Sequence, residues 1–149
     1  ETFDIVTCRL ALHHMPAAGQ AIAEMARVCR TGGRVALADN IVPEDEDTAT
    51  WVNRFETIRD PSHFRLWPLA AIVTMFEGAG LAIRAYETLT KMMDFENWAW
   101  RVDVPPADKA RLRAMLFDAP PAVQQWLSPR EVDGRLKFNL VEGVVLGRK

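Results

Sequence analysis

At 149 residues the chain has the length of one domain and can bury a core. Its 49% hydrophobic and 26% charged content excludes a disordered or fibrous polymer, and a net charge of −2 with scattered Lys and Arg leaves no electrostatic footprint for nucleic acid or a membrane surface. No apolar run reaches the roughly 20 residues of a membrane span. Cys8 and Cys29 have neither metal nor redox spacing nor the density of a secreted scaffold, so a reducing, cytoplasmic setting is expected.

The chain opens without methionine and enters a strand pattern almost at once, as expected of a piece cut from something longer. Phe3 to Cys8 is a short apolar, β-branched run and predicts a buried strand. A loop from Arg9 to Met15 follows. A helix then begins near Pro16, with Ile22, Met25, Ala26 and Cys29 on one face. Thr31-Gly32-Gly33 supplies its stop, and Arg34 to Ala38 predicts a second buried strand ending at Asp39-Asn40. Strand, helix and strand in this order predict a right-handed crossover and a parallel pair.

After an acidic loop, Thr48 to about Arg59 predicts a helix carrying Trp51, Val52, Phe55 and Ile58, broken by Asp60-Pro61-Ser62-His63. Pro68 to Ala79 predicts another helix. Leu81 to Thr90 alternates and predicts a strand with one polar face. A Trp-rich segment (Phe95 to Trp100), helices at Pro106 to Phe117 and Pro121 to Leu127, and a last alternating run from Gly134 through Leu146 complete the pattern. The last two long strands are expected to pair as an antiparallel hairpin at a sheet edge.

Five stretches run in order along the chain: FDIVTCRLALHH (Phe3 to His14), EMARVCRTGGRVALADN (Glu24 to Asn40), RDPSHFR (Arg59 to Arg65), EGAGL (Glu77 to Leu81) and the closing strand to Lys149. Together they resemble the class I S-adenosylmethionine-dependent methyltransferases related to the ubiquinone and menaquinone methyltransferases. The resemblance implies an α/β fold, a partial Rossmann-like sheet made of strands four to seven of that family with flanking helices. It implies one domain over 1–149, with a lid-like insertion at about 43–67 and a helical insertion at about 95–130. The family's glycine-rich cofactor loop would lie upstream of Glu1, and no GxGxxG-like segment occurs here. The first strand would then be a bare edge, and a homodimer through residues 3–8 is expected.

Ligands of open parallel sheets bind beyond the carboxyl ends of the strands, which singles out the loops after Cys8 and after Asp39. By resemblance, Cys8, Arg9 and Leu10 would lie against the methionine part of S-adenosylmethionine, with Ala11 and His14 beside the reacting methyl. Cys8 also fits a plain packing role. Histidine titrates near neutrality, so His14 and His63 are the candidate bases and His13 a candidate substrate contact; adjacent histidines on one loop are expected to diverge, so that at most one faces the site, and a histidine capping or bracing the following helix is the alternative. Asp39 and Asn40 are expected to bond substrate or orient a base. Arg59 and Asp60, in a segment that the resemblance makes a lid over the site, touch substrate or simply brace the lid. Three histidines without a carboxylate or cysteine cluster do not predict a metal site. The expected activity is methyl transfer to a small molecule, or that of half such an enzyme. The alternative is an inactive dimeric module that binds an apolar small molecule.

Overall fold

The computed structural model describes residues 1–149 as one mixed sheet with helices on both sides. Strand β1 (Phe3–Arg9) leads through a single 3-10 turn (Leu12–His14) to α1 (Ala18–Val28) and β2 (Cys29–Val42). Then come α2 (Glu46–Arg59), the two-residue β3 (Trp67–Pro68), α3 (Leu69–Gly78) and β4 (Ala82–Asp94). Three short helices, α4 (Phe95–Trp100), α5 (Pro106–Phe117) and α6 (Pro121–Leu127), precede β5 (Arg130–Val132) and β6 (Arg135–Arg148).

The long strands lie in the order β1-β2-β6-β4, with β1 parallel to β2 and β6 antiparallel to both of its neighbours. The parallel pairing of β1 with β2 and the antiparallel pairing of the last two long strands are as expected. They do not form a tight hairpin, because α4 to α6 stand between them, and it is β4 that takes the edge. Cys29 was expected on the helix and is instead the first residue of β2. It is extended, and the bulge after it is held by Gly32, whose N–H donates to the Lys149 carbonyl at 2.8 Å, and by Lys149 N–H on the Gly33 carbonyl at 3.1 Å. β1 is paired on one side only, and Phe3 and Ile5 are 53% and 60% exposed.

Two apolar clusters hold the sheet. Under one face, Ile22 and Ala26 of α1 and Ile72 and Phe76 of α3 pack on Val35, Leu37 and Val145. At the far end of β6, Leu136, Phe138 and Leu140 meet α2, α4, α5 and α6 around Phe55 and Trp98, whose rings stack at 5.1 Å while Phe138 stands edge-on to Trp98 at 5.0 Å. This second cluster fuses the segment 43–67 and the helices after β4 into one cap over the carboxyl end of β2.

Glycine positions differ sharply in what they tolerate. A Cβ on Gly33 would meet Cys29 Sγ at 2.6 Å and the carbonyls of Arg30 and Asp4 at 2.8 and 2.9 Å, whereas one on Gly19 of α1 meets nothing within 4 Å. Gly33→Ala is therefore expected to destabilise by about 1–3 kcal/mol through overpacking. Gly19→Ala should stabilise by about 0.5–1 kcal/mol through helix propensity. Urea unfolding of the two variants should shift the midpoint in opposite directions.

Candidate functional site

The loop after β1 begins with Leu10 in the left-handed region (φ 49°) and tightens at once into the 3-10 turn. This turn brings both histidines to one cleft rather than splaying them apart as the sequence suggests. Their rings lie 4.1 Å apart, and His63 stands 5.6 Å from His13. All three histidines of the chain thus line a cleft of about 270 Å³, shared with Leu10, Asn40, Glu56, Arg59 and Trp98.

Each ring has one nitrogen assigned by its partner. Asp39, at the carboxyl end of β2 and 2% exposed, receives His13 Nδ1 at 2.6 Å and the His13 backbone N–H at 3.1 Å, and also accepts the Asn40 N–H at 2.8 Å. A carboxylate only accepts, so Nδ1 of His13 carries a proton, and in the neutral tautomer the lone pair is on Nε2. Asp39 is held by these three bonds and is almost fully buried.

His14 Nδ1 donates to the Ser62 carbonyl at 3.0 Å and lies 3.1 Å from Ser62 Oγ, which donates to Asp60 at 2.6 Å. His63 Nε2 donates to Asn53 Oδ1 at 2.9 Å, because the Asn53 amide NH₂ is committed to the carbonyls of Ala49 and Leu66. Burial, with His13 and His14 adding to it, pushes the His63 imidazole down to about 4, so it is neutral near pH 7. His63 braces the lid turn against α2. The same turn is stitched to the β1 loop by the Phe64 and Arg65 N–H groups on the His13 carbonyl, at 2.9 and 3.0 Å.

Arg59 is the hub of the cap. Its Nε and Nη2 donate to the Trp98 carbonyl at 3.3 Å, Nη1 lies 3.7 Å from Glu56, and the guanidinium covers the Trp98 ring at 4.8 Å. These contacts tie α2 to α4, and Arg59 also lines the cleft. Asn40 accepts from Lys91 Nζ at 2.9 Å, and Lys91 also reaches Glu142 at 2.6 Å.

Glu56 was missed. It is 4% exposed, Oε1 has no hydrogen-bond partner, and burial pushes the carboxyl up to about 7, with Arg59 and His13 opposing and Asp60 and Asp39 adding. Its signal was present in the sequence: Val52, Phe55, Glu56 and Arg59 fall at i, i+3, i+4 and i+7, which sets two charges on the apolar stripe of α2.

Of the residues expected against the cofactor, Leu10 lines the cleft. Arg9 is exposed and lies 4.0 Å from Glu142, and Ala11 is the half-buried residue before the turn. Cys8 packs on the α1–α3 cluster, and burial, with the charge of Asp39, pushes its thiol up, which suits a small apolar side chain better than a reactive one. No three His, Cys, Asp or Glu side chains are arranged to hold a metal ion, and no helix is long and apolar enough to cross a membrane.

A parallel strand pair with a cleft at the carboxyl ends of its strands puts that cleft where open Rossmann-like α/β sheets bind ligands. Residues 1–37 match the family profile described as a methyltransferase domain. The chain is 35% identical over 111 residues to the uncharacterized methyltransferase YcgJ of Bacillus subtilis, spanning 74% of this chain and 44% of that protein. It is 30% identical over 105 residues to the uncharacterized protein YafE of Escherichia coli, spanning 70% of this chain and 51% of that one. A crystal structure from Bacillus halodurans (BH2331), described as a candidate methyltransferase, superposes with a TM-score of 0.92 at 33% identity, over 100% of this chain and 70% of that one. The chain belongs to the class I S-adenosylmethionine-dependent methyltransferases. It spans about half the length of the curated relatives it matches.

Proposed function

We propose that this chain is the acceptor-binding part of an S-adenosylmethionine-dependent methyltransferase that acts on a small molecule. The observation that carries the reading is the 2.6 Å bond from His13 to the buried Asp39 at the carboxyl end of β2, beside a partly apolar cleft.

The donor set here suits only one end of the cofactor. The β1 loop offers the apolar Leu10 and the small Ala11 for the methionine end, while the chain holds no glycine-rich turn for the rest. When bound, the cofactor supplies an electrophilic methyl on a sulfonium. The chain's own residues do the remaining work. Asp39 fixes the His13 ring and its tautomer, His13 Nε2 takes the proton that the acceptor atom gives up, and the cap around Arg59, Phe55 and Trp98 excludes water and aligns the acceptor. Asp39 is in this sense a positioning residue. His14, held through Ser62, stands beside His13 and shapes the same wall.

The test supplies methyl-tritiated S-adenosylmethionine and small molecules offering carbon, oxygen and nitrogen nucleophiles, with the chain joined to the N-terminal half of the Bacillus subtilis relative. Label in a small-molecule product is expected. Label that enters only protein or nucleic acid would sink the reading.

A further inference from the structure

β4 closes the sheet on the side opposite β1, so one row of its backbone N–H and C=O groups meets no other strand. Every residue from Arg84 to Thr90 is exposed, and Tyr86, Leu89 and Met92 are 60%, 57% and 56% exposed. Proteins usually blunt such an edge with proline, an outward lysine or a bulge. Between Ala85 and Met93 there is no proline, and the one bulge of β4 lies before Ala85. Lys91, the only lysine in this stretch, is turned inward over the neighbouring strands, with Nζ 2.9 Å from Asn40 Oδ1 and 2.6 Å from Glu142 Oε2.

The edge is also its own complement. Two copies related by a two-fold axis normal to the sheet pair antiparallel, and residues directly opposite each other share a face. With the axis at Leu89, Glu87 of each copy stands opposite Lys91 of the other and Leu89 opposite itself on one face, while Tyr86 stands opposite Met92 and Thr88 opposite Thr90 on the other. Each of the three exposed apolar side chains thereby gains an apolar neighbour. Glu87, which has no ion pair within its own chain, gains a cation across the axis. Moving the axis by one residue loses this match: at Thr88 it sets Glu87 against Leu89, and at Thr90 it sets Lys91 against Leu89. Moving it by two sets Glu87 or Lys91 against itself, and like charges directly opposite destabilise a strand pair. We propose that β4 is a dimerisation edge, at which two copies of this chain pair β4 to β4 antiparallel about Leu89 and make one continuous sheet.

This pairing is independent of the reading of the cleft, and it is tested by mass and by cross-linking. Sedimentation equilibrium of the chain at tens of micromolar is expected to give twice the mass of one chain. Leu89→Lys changes an exposed side chain and sets two ammonium groups against each other, and should weaken the dimer by about tenfold or more. Ile5→Lys, on the open edge of β1, should leave the dimer intact, and circular dichroism checks that both variants are folded. Cross-linking reads the register, and it decides alone should Leu89→Lys fail to fold. Leu89→Cys meets itself across the axis, whereas Thr88→Cys meets Thr90. Under mild oxidation, with dioxygen taking up the two electrons and two protons of the thiols, the first should give a reducible covalent dimer well ahead of the second and of the parent with its Cys8 and Cys29. A monomeric parent, a dimer that survives Leu89→Lys, a dimer lost with Ile5→Lys, or cross-linking through Thr88→Cys as fast as through Leu89→Cys each overturns the proposal.

Discussion

Replacing His13 with Gln, or Asp39 with Asn, is expected to lower methyl transfer by about 10²-fold or more, the usual contribution of a positioned general base. The two changes remove one device. Asp39 holds His13 through both its ring and its backbone N–H, so Asn at position 39 keeps the volume but puts an NH₂ where an acceptor is needed. The double variant should then be little worse than either single one, because residues acting as a unit are not additive. His14→Gln is the control. Its ring is held by the lid turn rather than by a buried carboxylate, and a much smaller loss is expected. Steady-state rates of the four proteins check this. Additive losses at His13 and Asp39 would mean that the pair does not work as a base and its orienter.

The buried Glu56 should make the protein less stable as pH rises. Below about pH 4.5 the carboxyl is protonated in both folded and unfolded chains and contributes no difference. Between 4.5 and about 7 the unfolded chain ionises while the folded one keeps its proton, so stability falls across this window. Above it the full penalty stands, about 3 kcal/mol from a shift of this size. Glu56→Gln, which cannot ionise, should remove this falling contribution, gaining on the parent at pH 8 and not at pH 4.5. His63 works in the opposite sense. Its folded imidazole titrates near 4 rather than 6.5, so stability is lost as pH falls through that range. The two together place the stability maximum between them. Urea unfolding of parent and Glu56→Gln across pH 4.5 to 8 measures the slope, and parallel curves would show that Glu56 does not carry the penalty.

Much of the fold was legible because local patterns and tertiary demands agree. The prolines at 106 and 121 begin α5 and α6 where a missing N–H is harmless, and the alternation after Gly134 becomes β6. What escaped was set by distant partners. β3 and β5 are too short to show a period, and Cys29 leaves the helical pattern because the chain end ties the following glycines. The site shows the same division. His13, His14, His63 and Asp39 were recognisable as reactive residue types near strand ends or in the lid. Their convergence was not legible, because it depends on a 3-10 turn and on Asn53 reaching from α2 to residue 66. Glu56 is the instructive omission, since a charge on the apolar face of a helix reads as noise until the cleft beneath it is seen.

The most direct test is a ¹H–¹⁵N NMR titration with S-adenosylhomocysteine of this chain joined to the N-terminal half of the Bacillus subtilis relative, which supplies the rest of the cofactor site. The amides of Leu10, Ala11 and His13 should move together and saturate, since they lie at the carboxyl end of β1 where the cofactor's methionine end is assigned. Saturation elsewhere with these amides unmoved, or no binding by the folded joined protein, would contradict the assignment of this cleft to methyl transfer.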